Sequence, residues 1–337
     1  MKNRTIIIAE AGVNHNGNLQ MAKKLITAAK KSGADFIKFQ SFHADLISIK
    51  TLRKTFYQKK NTYFKNENQN QMLKRLELHE RKQKKLFEYA KKIKINFISS
   101  AFDIKSLNFL KKLNMKYFKI PSPEITNYPL LQAIGKFNKK IILSTGMSKI
   151  NEIKSALKVL IKSGTKKSKI SLLHCNSEYP TPFNDANLNA ILTLKKKFKL
   201  KTGYSDHTMG IEASIAAVTL GAEIIEKHLT LDCNLPGPDH KTSIEPEEFK
   251  QLVQSIRNIE ISLGSGKKVV SKSEKKNISI VRKSIVAKTR IKKGEKFSLK
   301  NLTTKRPGSG ISPMKINVLL KKKSKKNFKK DQLISIK

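Results

Sequence analysis

The chain has 337 residues, a formal net charge of +45 and 38% hydrophobic residues, which predicts one large packed domain followed by a smaller one. Its lysines are spread over nearly every predicted helix, so we interpret the charge as solvated surface and do not expect nucleic acid as a partner. The apolar run before Glu10 is too short for a signal peptide or a membrane span, which predicts a cytoplasmic protein with no membrane partner.

Short apolar segments recur along the chain, each followed by a polar cluster and then by helical periodicity. The eight segments are IIIAEAG from Ile6, FIKFQS from Phe36, INFISSAF from Ile95, YFKIPSPE from Tyr117, KIILSTG from Lys140, KISLLHCN from Lys169, TGYSDHT from Thr202 and AEIIEKHLT from Ala222. This alternation predicts an α/β protein with a (β/α)8 TIM barrel. An open doubly wound sheet is the alternative, but no G-x-G-x-x-G turn follows the first segment.

Two segments depart from the repeat. Residues 42–94 are longer than one helix requires, and TFYQKKNTYFKNENQNQ within them predicts a surface excursion that could cover the barrel mouth. After the barrel, residues 1–265, a Gly, Ser and Lys-rich linker is expected at 266–280. Residues 281–337 then predict a small β-rich domain, which is near the lower size limit for independent folding and should need a partner surface.

Polar residues stand at the predicted C-terminal ends of the barrel strands, where barrel enzymes carry their active sites. They are Glu10, Lys38, Gln40, Ser99, Ser100, Lys119, Ser122, Glu124, Ser144, His174, Asn176, Asp206, His207, Glu226 and His228. One such residue would be an ordinary solvated strand end. The whole set converging at one mouth indicates an active site.

His207 and His228 end the seventh and eighth strands, which are neighbours in a barrel, so both imidazoles could bind one metal ion. Asp206, Glu226 and Asp239 are candidates for orienting them. Two histidine ligands leave positions open for water and substrate, as in catalytic metal sites. We expect a divalent cation, Mn²⁺ by preference, with Mg²⁺, Co²⁺ or Zn²⁺ as alternatives. Either histidine could instead be a general base or a hydrogen-bonded side chain.

Lys38 and Lys119 are expected in the same mouth, together with the hydroxyl groups of Ser122, Ser144 and Ser205. Two lysines and several hydroxyls suit a ligand that carries a phosphate and a carboxylate. Schiff-base formation by one of the lysines, or plain solvation of both, are the alternatives.

A series of longer motifs occurs in one order along the chain: IIIAEAGVNHNG, KFQSF, FKIPSPE, ILSTGM, HCNSEYPTPF, GYSDHTMG, EKHLTLD and PGPDH. Together they resemble the sialic acid synthase family, the bacterial N-acetylneuraminate synthases with their legionaminate and pseudaminate relatives. The C-terminal KSIVAK, IKKGE and TTKRPGSGISP are similar to the antifreeze-like (SAF) domain of that family.

This resemblance implies a transferase that condenses phosphoenolpyruvate with an open-chain N-acylated hexosamine and releases phosphate. It implies a metal at His207 and His228 that polarises the sugar aldehyde, and proton transfer by Glu10 and Glu124, with His228 also counted as catalytic. It places phosphoenolpyruvate at Lys38, Lys119, Ser122, Ser144 and Ser205, and the sugar at Gln40, Phe102, Tyr179 and Asp239. It also implies a domain-swapped homodimer in which Arg306 reaches the partner's sugar.

The sequence departs from the family pattern near the expected ligands. Pro123 stands where relatives have Gly, and Ser100-Ala101-Phe102 replaces Thr-Pro-Phe. Within the family we expect an N-acetylneuraminate synthase that uses N-acetylmannosamine, with a legionaminate or pseudaminate synthase that uses a 2,4-diacetamido hexose as the alternative. A basic polyanion-binding protein, suggested by the dense run KKKSKKNFKK at 321–330, is a remote alternative, as is ice binding through the antifreeze-like segment.

Overall fold

The computed structural model describes residues 4–62, 64 and 66–336, which form two compact units, one ending at Gly264 and one beginning at Ser265. In the first unit eight parallel strands form a closed barrel in sequence order, with β8 paired to β1. They are β1 (Ile6–Gly12), β2 (Phe36–Ser41), β3 (Asn96–Ala101), β4 (Tyr117–Ile120), β5 (Lys140–Ser144), β6 (Ile170–Cys175), β7 (Lys201–Asp206) and β8 (Ile224–His228). The predicted (β/α)8 barrel is confirmed, and the pairing of β8 with β1 excludes the open sheet.

Helices accompany the strands, and most of them bury one face against the barrel. They are α1 (Leu19–Lys31), α2 (Ala44–Ile47), α3 (Phe56–Asn61), α4 (Gln69–Leu76), α5 (Glu80–Lys92), α6 (Ile104–Lys112), α7 (Tyr128–Gly135), α8 (Ile150–Lys162), α9 (Phe183–Ala186), α10 (Ala190–Phe198), α11 (Glu212–Thr219) and α12 (Pro246–Ser262), with 3-10 turns at Ser122–Thr126, Lys167–Lys169 and His240–Thr242. Side-chain caps fix several of their starts: Asn18 accepts two backbone N–H groups at α1, and Asp103 accepts one at α6. No helix in the described part of the chain is both long and apolar enough to cross a membrane.

The inside of the barrel has two layers, because alternate residues of each strand point inward. The lower layer, the apolar floor, is one cluster of Ile8, Phe36, Ile98, Ile142, Leu173 and Ile224. Two positions further along the same strands stand Glu10, Lys38, Ser100, Ser144, Cys175 and Glu226, all of which line a cavity above the floor. The intervening strand residues face outward and pack with the helices in the main core.

The excursion between β2 and α5 carries α2, α3 and α4. Met72 and Leu76 of α4 pack with Val13 and Phe42 in a small separate apolar cluster. The predicted surface excursion is therefore a folded element with a core of its own. Two of its residues, 63 and 65, lie outside the described residues.

The second unit contains α13 (Lys272–Lys275), α14 (Ile278–Val281), β9 (Ser284–Ala287), β10 (Leu302–Lys305), a 3-10 turn at Pro313–Lys315 and α15 (Ile316–Leu320). β9 and β10 pair antiparallel. Its own core joins the apolar residues Ile285, Ala287, Ile291, Phe297, Leu302, Leu319, Phe328 and Ile334. This is the small β-rich domain that the turn-rich C-terminal sequence predicts.

Candidate active site

A cavity of about 370 Å³ opens above the apolar floor, at the C-terminal ends of the strands. The barrel residues to which the family resemblance assigns a role all line it: Glu10, Lys38, Gln40, Phe102, Lys119, Ser122, Glu124, Ser144, Tyr179, Ser205, His207, His228 and Asp239. Arg306 belongs to the second unit, where its Nε donates to the carbonyl of Val281 at 3.0 Å. Four residues of the strand-end set do not line the cavity, namely Ser99, His174, Asn176 and Asp206. The structure thus brings together most of the side chains that the strand-end pattern selects, but not all of them.

The two cavity lysines are buried and already paired with carboxylates. Lys38 Nζ lies 2.8 Å from Glu10 Oε1 and 3.6 Å from Glu226 Oε1, and Lys119 Nζ lies 3.5 Å from the same Glu226 atom. Lys119 also donates to Ser144 Oγ at 2.7 Å, and Ser205 Oγ donates to Glu226 at 3.0 Å. An incoming anion would therefore meet two cations and two hydroxyl groups around one central carboxylate.

Glu226 is that central carboxylate; it belongs to the predicted strand-end set, but the only role predicted for it was to orient the histidines. Its inward position two residues after Ile224 of the floor is the signal that could have placed it in the site. Burial opposes its ionisation, but Lys119 and Lys38 together outweigh burial and lower its pKa. Burial raises the pKa of Glu10, which Lys38 only partly offsets. Two carboxylates that share a lysine thus have pKa values shifted in opposite directions, which makes Glu10 the better proton carrier and Glu226 the better fixed charge.

A third hydroxyl group, that of Ser122, lies beside this cluster. Ser122 Oγ accepts the Gly146 N–H at 2.9 Å and lies 3.1 Å from Cys175 Sγ. A Cβ at Gly146 would lie 2.4 Å from Ser177 Oγ and 2.8 Å from Ser122 Oγ, so only glycine lets the backbone approach this closely.

His207 and His228 lie side by side at the ends of β7 and β8, with ring centroids 5.4 Å apart. The Nδ1 of His207 lies 2.5 Å from the carbonyl oxygen of Asn176, and since a carbonyl only accepts, Nδ1 carries the proton. Its Nε2 therefore presents a lone pair, 3.2 Å from the Tyr179 hydroxyl. A backbone carbonyl that fixes the tautomer in this way is the usual support of a metal-bound histidine.

The electrostatics of the pair also suit a cation. Burial lowers the pKa of His207 to about 4 and that of His228 well below its usual range, so both rings are neutral at pH 7, as metal ligands must be. Among the described residues, His228 Nδ1, Glu10 Oε2 and Glu226 Oε2 are buried without a hydrogen-bond partner. No group of three or more His, Cys, Asp or Glu side chains arranged to hold a metal occurs in those residues. The donor set thus fits a two-histidine site with open positions.

A buried ion pair lies next to both histidines in the chain. Asp206 and Lys227 are paired residues of β7 and β8, fully buried, with Oδ2 and Nζ 3.0 Å apart. Asp206 also accepts from Thr208 and Ser214, and Lys227 donates to the Thr208 carbonyl at 2.6 Å. This pair ties the two strand ends together behind the site.

Aromatic rings rise from the histidines towards the mouth. The Tyr179 ring stacks on His207 at 4.2 Å and meets His228 edge-on at 5.6 Å. Tyr57 of α3, which the sequence analysis did not single out, lies 5.0 Å from Tyr179. Asp239 lines the same cavity, and burial together with the charge of Glu10 raises its pKa to about 7.

The two departures from the family pattern stand beside this cavity. Pro123 lies in the 3-10 turn Ser122–Thr126 and lines the cavity beside Glu124, whose pKa is raised by burial. Phe102 lines the cavity as well and meets Phe42 edge-on at 6.2 Å. Neither departure removes a charged group from the site.

Comparisons with known proteins agree with this geometry. A model of the NeuB family matches residues 25–268, and a SAF domain model matches residues 282–337. The N,N'-diacetyllegionaminic acid synthase of Campylobacter jejuni is 58% identical over 98% of this chain and 99% of its own length. The protein of the same name from Legionella pneumophila is 47% identical over 92% of this chain and 88% of its own.

A solved structure extends the agreement to three dimensions. The N-acetylneuraminic acid synthetase of Leptospira borgpetersenii, in complex with citrate, matches with a TM-score of 0.71 and 38% identity, covering 82% of this chain and 90% of that one. The family prediction made from the strand-end motifs is confirmed. The chain belongs to the NeuB family of sialic acid synthases.

Proposed function

We propose that the protein is a legionaminate synthase, which condenses phosphoenolpyruvate with a 2,4-diacetamido hexose to give a nine-carbon 2-keto-3-deoxy acid and phosphate. The observation that carries this is the 58% and 47% identity to two relatives named N,N'-diacetyllegionaminic acid synthase, against 38% to the N-acetylneuraminic acid synthetase. The first expectation, N-acetylneuraminate synthesis, is therefore replaced by its alternative. That first expectation rested on HCNSEYPTPF and on the ISPM ending, which look closest to the N-acetylneuraminate branch, whereas PGPDH also occurs among legionaminate enzymes.

Lys119, Lys38 and the neighbouring hydroxyls would hold phosphoenolpyruvate. Burial lowers the pKa of Lys119, whereas Glu10 and Glu226 outweigh burial and raise the pKa of Lys38. The phosphate and carboxylate of the substrate would take over ionic contacts that the glutamates now make. Charge-assisted bonds of this kind are strong in a buried site.

The reaction forms one carbon–carbon bond and exchanges the phosphate oxygen on C2 for the oxygen of water. C3 of phosphoenolpyruvate bonds to the aldehyde carbon, whose oxygen takes up a proton. Water then adds to C2 with loss of one proton, and the C2–phosphate bond breaks as the new hydroxyl passes its second proton to the leaving phosphate, which generates the ketone. Glu10 and Glu124 are the proton carriers in this scheme, because burial raises the pKa of both towards neutrality.

His207 and His228 would hold a divalent cation, Mn²⁺ by preference, that polarises the sugar aldehyde. The neutral rings and the Asn176 carbonyl behind His207 support this assignment. Tyr179, stacked on His207, would orient the sugar above the pair.

The proposed assembly is a homodimer in which the second unit of one chain serves the barrel of the other. Arg306 is the residue we assign to the partner's sugar. Its Nε bond to Val281 fixes the side chain within its own unit and leaves the terminal nitrogens for a ligand.

The test follows phosphate release from phosphoenolpyruvate with Mn²⁺ and either a 2,4-diacetamido hexose or N-acetylmannosamine. We expect a higher kcat/KM with the diacetamido sugar. A preference for N-acetylmannosamine would instead identify an N-acetylneuraminate synthase. If neither sugar is turned over, the proposed synthase activity is refuted. Lys119→Met should abolish turnover, whereas Lys116→Met, at an exposed lysine just before β4, should not.

A further inference from the structure

One side of the cavity is formed by the excursion, outside the barrel itself. We call the described residues of 55–76 the outer wall. Its cavity-facing members include Tyr57, Gln58, Gln69, Met72, Leu73 and Leu76. All six are uncharged in a chain in which 28% of the residues are charged. The reaction end, in contrast, is built from lysines, carboxylates and histidines.

The outer wall is held in place by its own charge network. Lys54 has a fully buried side chain whose Nζ donates to Thr62 Oγ1 at 2.9 Å and to the Phe64 carbonyl, and it lies 3.5 Å from Glu67. Arg75 pairs with the same Glu67 at 2.9 Å. The wall is also anchored beneath by the cluster that includes Met72 and Leu76. Such a preformed wall gives the cavity a defined shape before substrate binds.

A series of aromatic contacts connects the outer wall with the histidines of the cavity. His207 stacks on Tyr179 at 4.2 Å, and Tyr179 packs against Tyr57 at 5.0 Å. Gln58 lies next to Tyr57, with its Nε2 3.4 Å from the Tyr57 hydroxyl. Tyr57 is thus the wall residue that continues the surface of Tyr179 outward from the histidines.

The chemistry of the outer wall suits a neutral, acylated sugar. Amide side chains such as Gln58 and Gln69 can hydrogen-bond acetamido groups, and the partly buried Leu73 offers an apolar surface to their methyl groups. A 2,4-diacetamido hexose carries one more acetamido group than N-acetylmannosamine, so it offers more to such a surface. A site built for that group discriminates against a sugar that lacks it, because wall groups are then left unpaired.

We propose that the outer wall selects the sugar and that Tyr57 is its specificity-determining residue, packing the sugar against Tyr179. This inference rests on the proposed function. It assigns the choice of sugar to the excursion and the chemistry to the barrel.

The test compares Tyr57→Ala and Tyr57→Phe with wild type, using both sugars. Phe56→Ala is the matched control, since Phe56 neighbours Tyr57 on α3 but is 81% exposed. For Tyr57→Ala we expect the KM for the diacetamido sugar to rise tenfold or more, with the KM for phosphoenolpyruvate within twofold of wild type. The kcat/KM ratio of the two sugars should fall towards one. Tyr57→Phe keeps the ring and should stay near wild type in both constants.

The assignment of Tyr57 would be overturned if Tyr57→Ala raised the KM for phosphoenolpyruvate as much as the KM for the sugar. It would also be overturned if Phe56→Ala raised the sugar KM by the same factor. If Tyr57→Ala fails to fold by circular dichroism, Tyr57→Leu replaces it with the same expectations. Wild-type preference for N-acetylmannosamine would refute the proposed function, and an unchanged KM for that sugar in Tyr57→Ala would then overturn the role of Tyr57 as well. Wild-type turnover of neither sugar would overturn both proposals.

Discussion

Replacing Lys227 by Met should destabilise the barrel more than any change to an exposed lysine. Lys227 is fully buried and its Nζ lies 3.0 Å from Asp206. Without the ammonium, the Asp206 carboxylate keeps only the neutral donors of Thr208 and Ser214. Leaving one member of a buried pair uncompensated typically costs about 3–5 kcal/mol.

Removing both charges together should cost much less. Asp206→Asn in the Lys227→Met background keeps an acceptor for Thr208 and leaves no isolated charge, and such double replacements are often close to neutral. We therefore expect the double variant to lose under about 2 kcal/mol, so that the two changes are strongly non-additive.

Urea unfolding followed by far-UV circular dichroism measures these differences, since the chain has no tryptophan for fluorescence. A loss of this size would lower the urea midpoint by roughly 1–2 M. Lys201→Met is the matched control: Lys201 also lies on β7, and its 3.6 Å pair with Glu223 is more than half exposed at the lysine, so the loss should stay below about 1 kcal/mol. A double variant as unstable as the sum of its single changes would refute the reasoning.

Three further predictions concern the site. His207→Ala and His228→Ala should each abolish turnover and weaken Mn²⁺ binding in calorimetry with unchanged circular dichroism; retained Mn²⁺ affinity would remove the ligand assignment. Asp239 has a pKa near 7 when folded and 3.8 as its ordinary value, so the folded chain holds a proton that the unfolded chain releases, and stability falls as pH rises from about 4 to 7. In metal-free buffer, Asp239→Asn should remove up to about 4 kcal/mol of this pH-dependent loss in the free energy of unfolding. If the free energies of unfolding of the variant and of wild type changed with pH in parallel, the raised pKa of Asp239 would be contradicted. Arg306→Ala should raise the sugar KM about tenfold and spare phosphoenolpyruvate, whereas equal loss of both would argue against its role at the sugar.

The barrel and most of its site follow from the sequence because strand ends obey a simple rule. In a strand such as β8 the alternation of inward residues runs from Ile224 to Glu226 to His228, so an apolar run that turns polar marks the mouth. The same rule places Lys38 and Ser144, each two residues after a floor residue. Local pattern is sufficient there because all eight strands share one direction.

The position of Tyr57 and the preferred sugar could not be predicted from this alternation. Tyr57 lies on a six-residue helix in a polar segment, and its place beside Tyr179 depends on a chain reversal held by the buried Lys54. No local periodicity in the sequence predicts that reversal. Lysine is so abundant in this chain that Lys54 cannot be recognised from the sequence as a buried, structural residue. The strand-end motifs likewise describe the barrel end of the cavity, whereas the proposed sugar-selecting residues belong to the excursion.

The apolar floor also has a kinetic consequence. Because six packed side chains close the lower end of the cavity, ligands enter from the mouth above. Lys38 and Lys119 lie in the layer directly over the floor, whereas Tyr57 and Tyr179 lie nearer the mouth. A sugar seated against the tyrosines would obstruct the path to the lysines, so phosphoenolpyruvate should bind first and the sugar second. Initial-rate kinetics should then fit an ordered mechanism in which phosphoenolpyruvate binds before the sugar. Excess sugar should inhibit the reaction by slowing the binding of phosphoenolpyruvate.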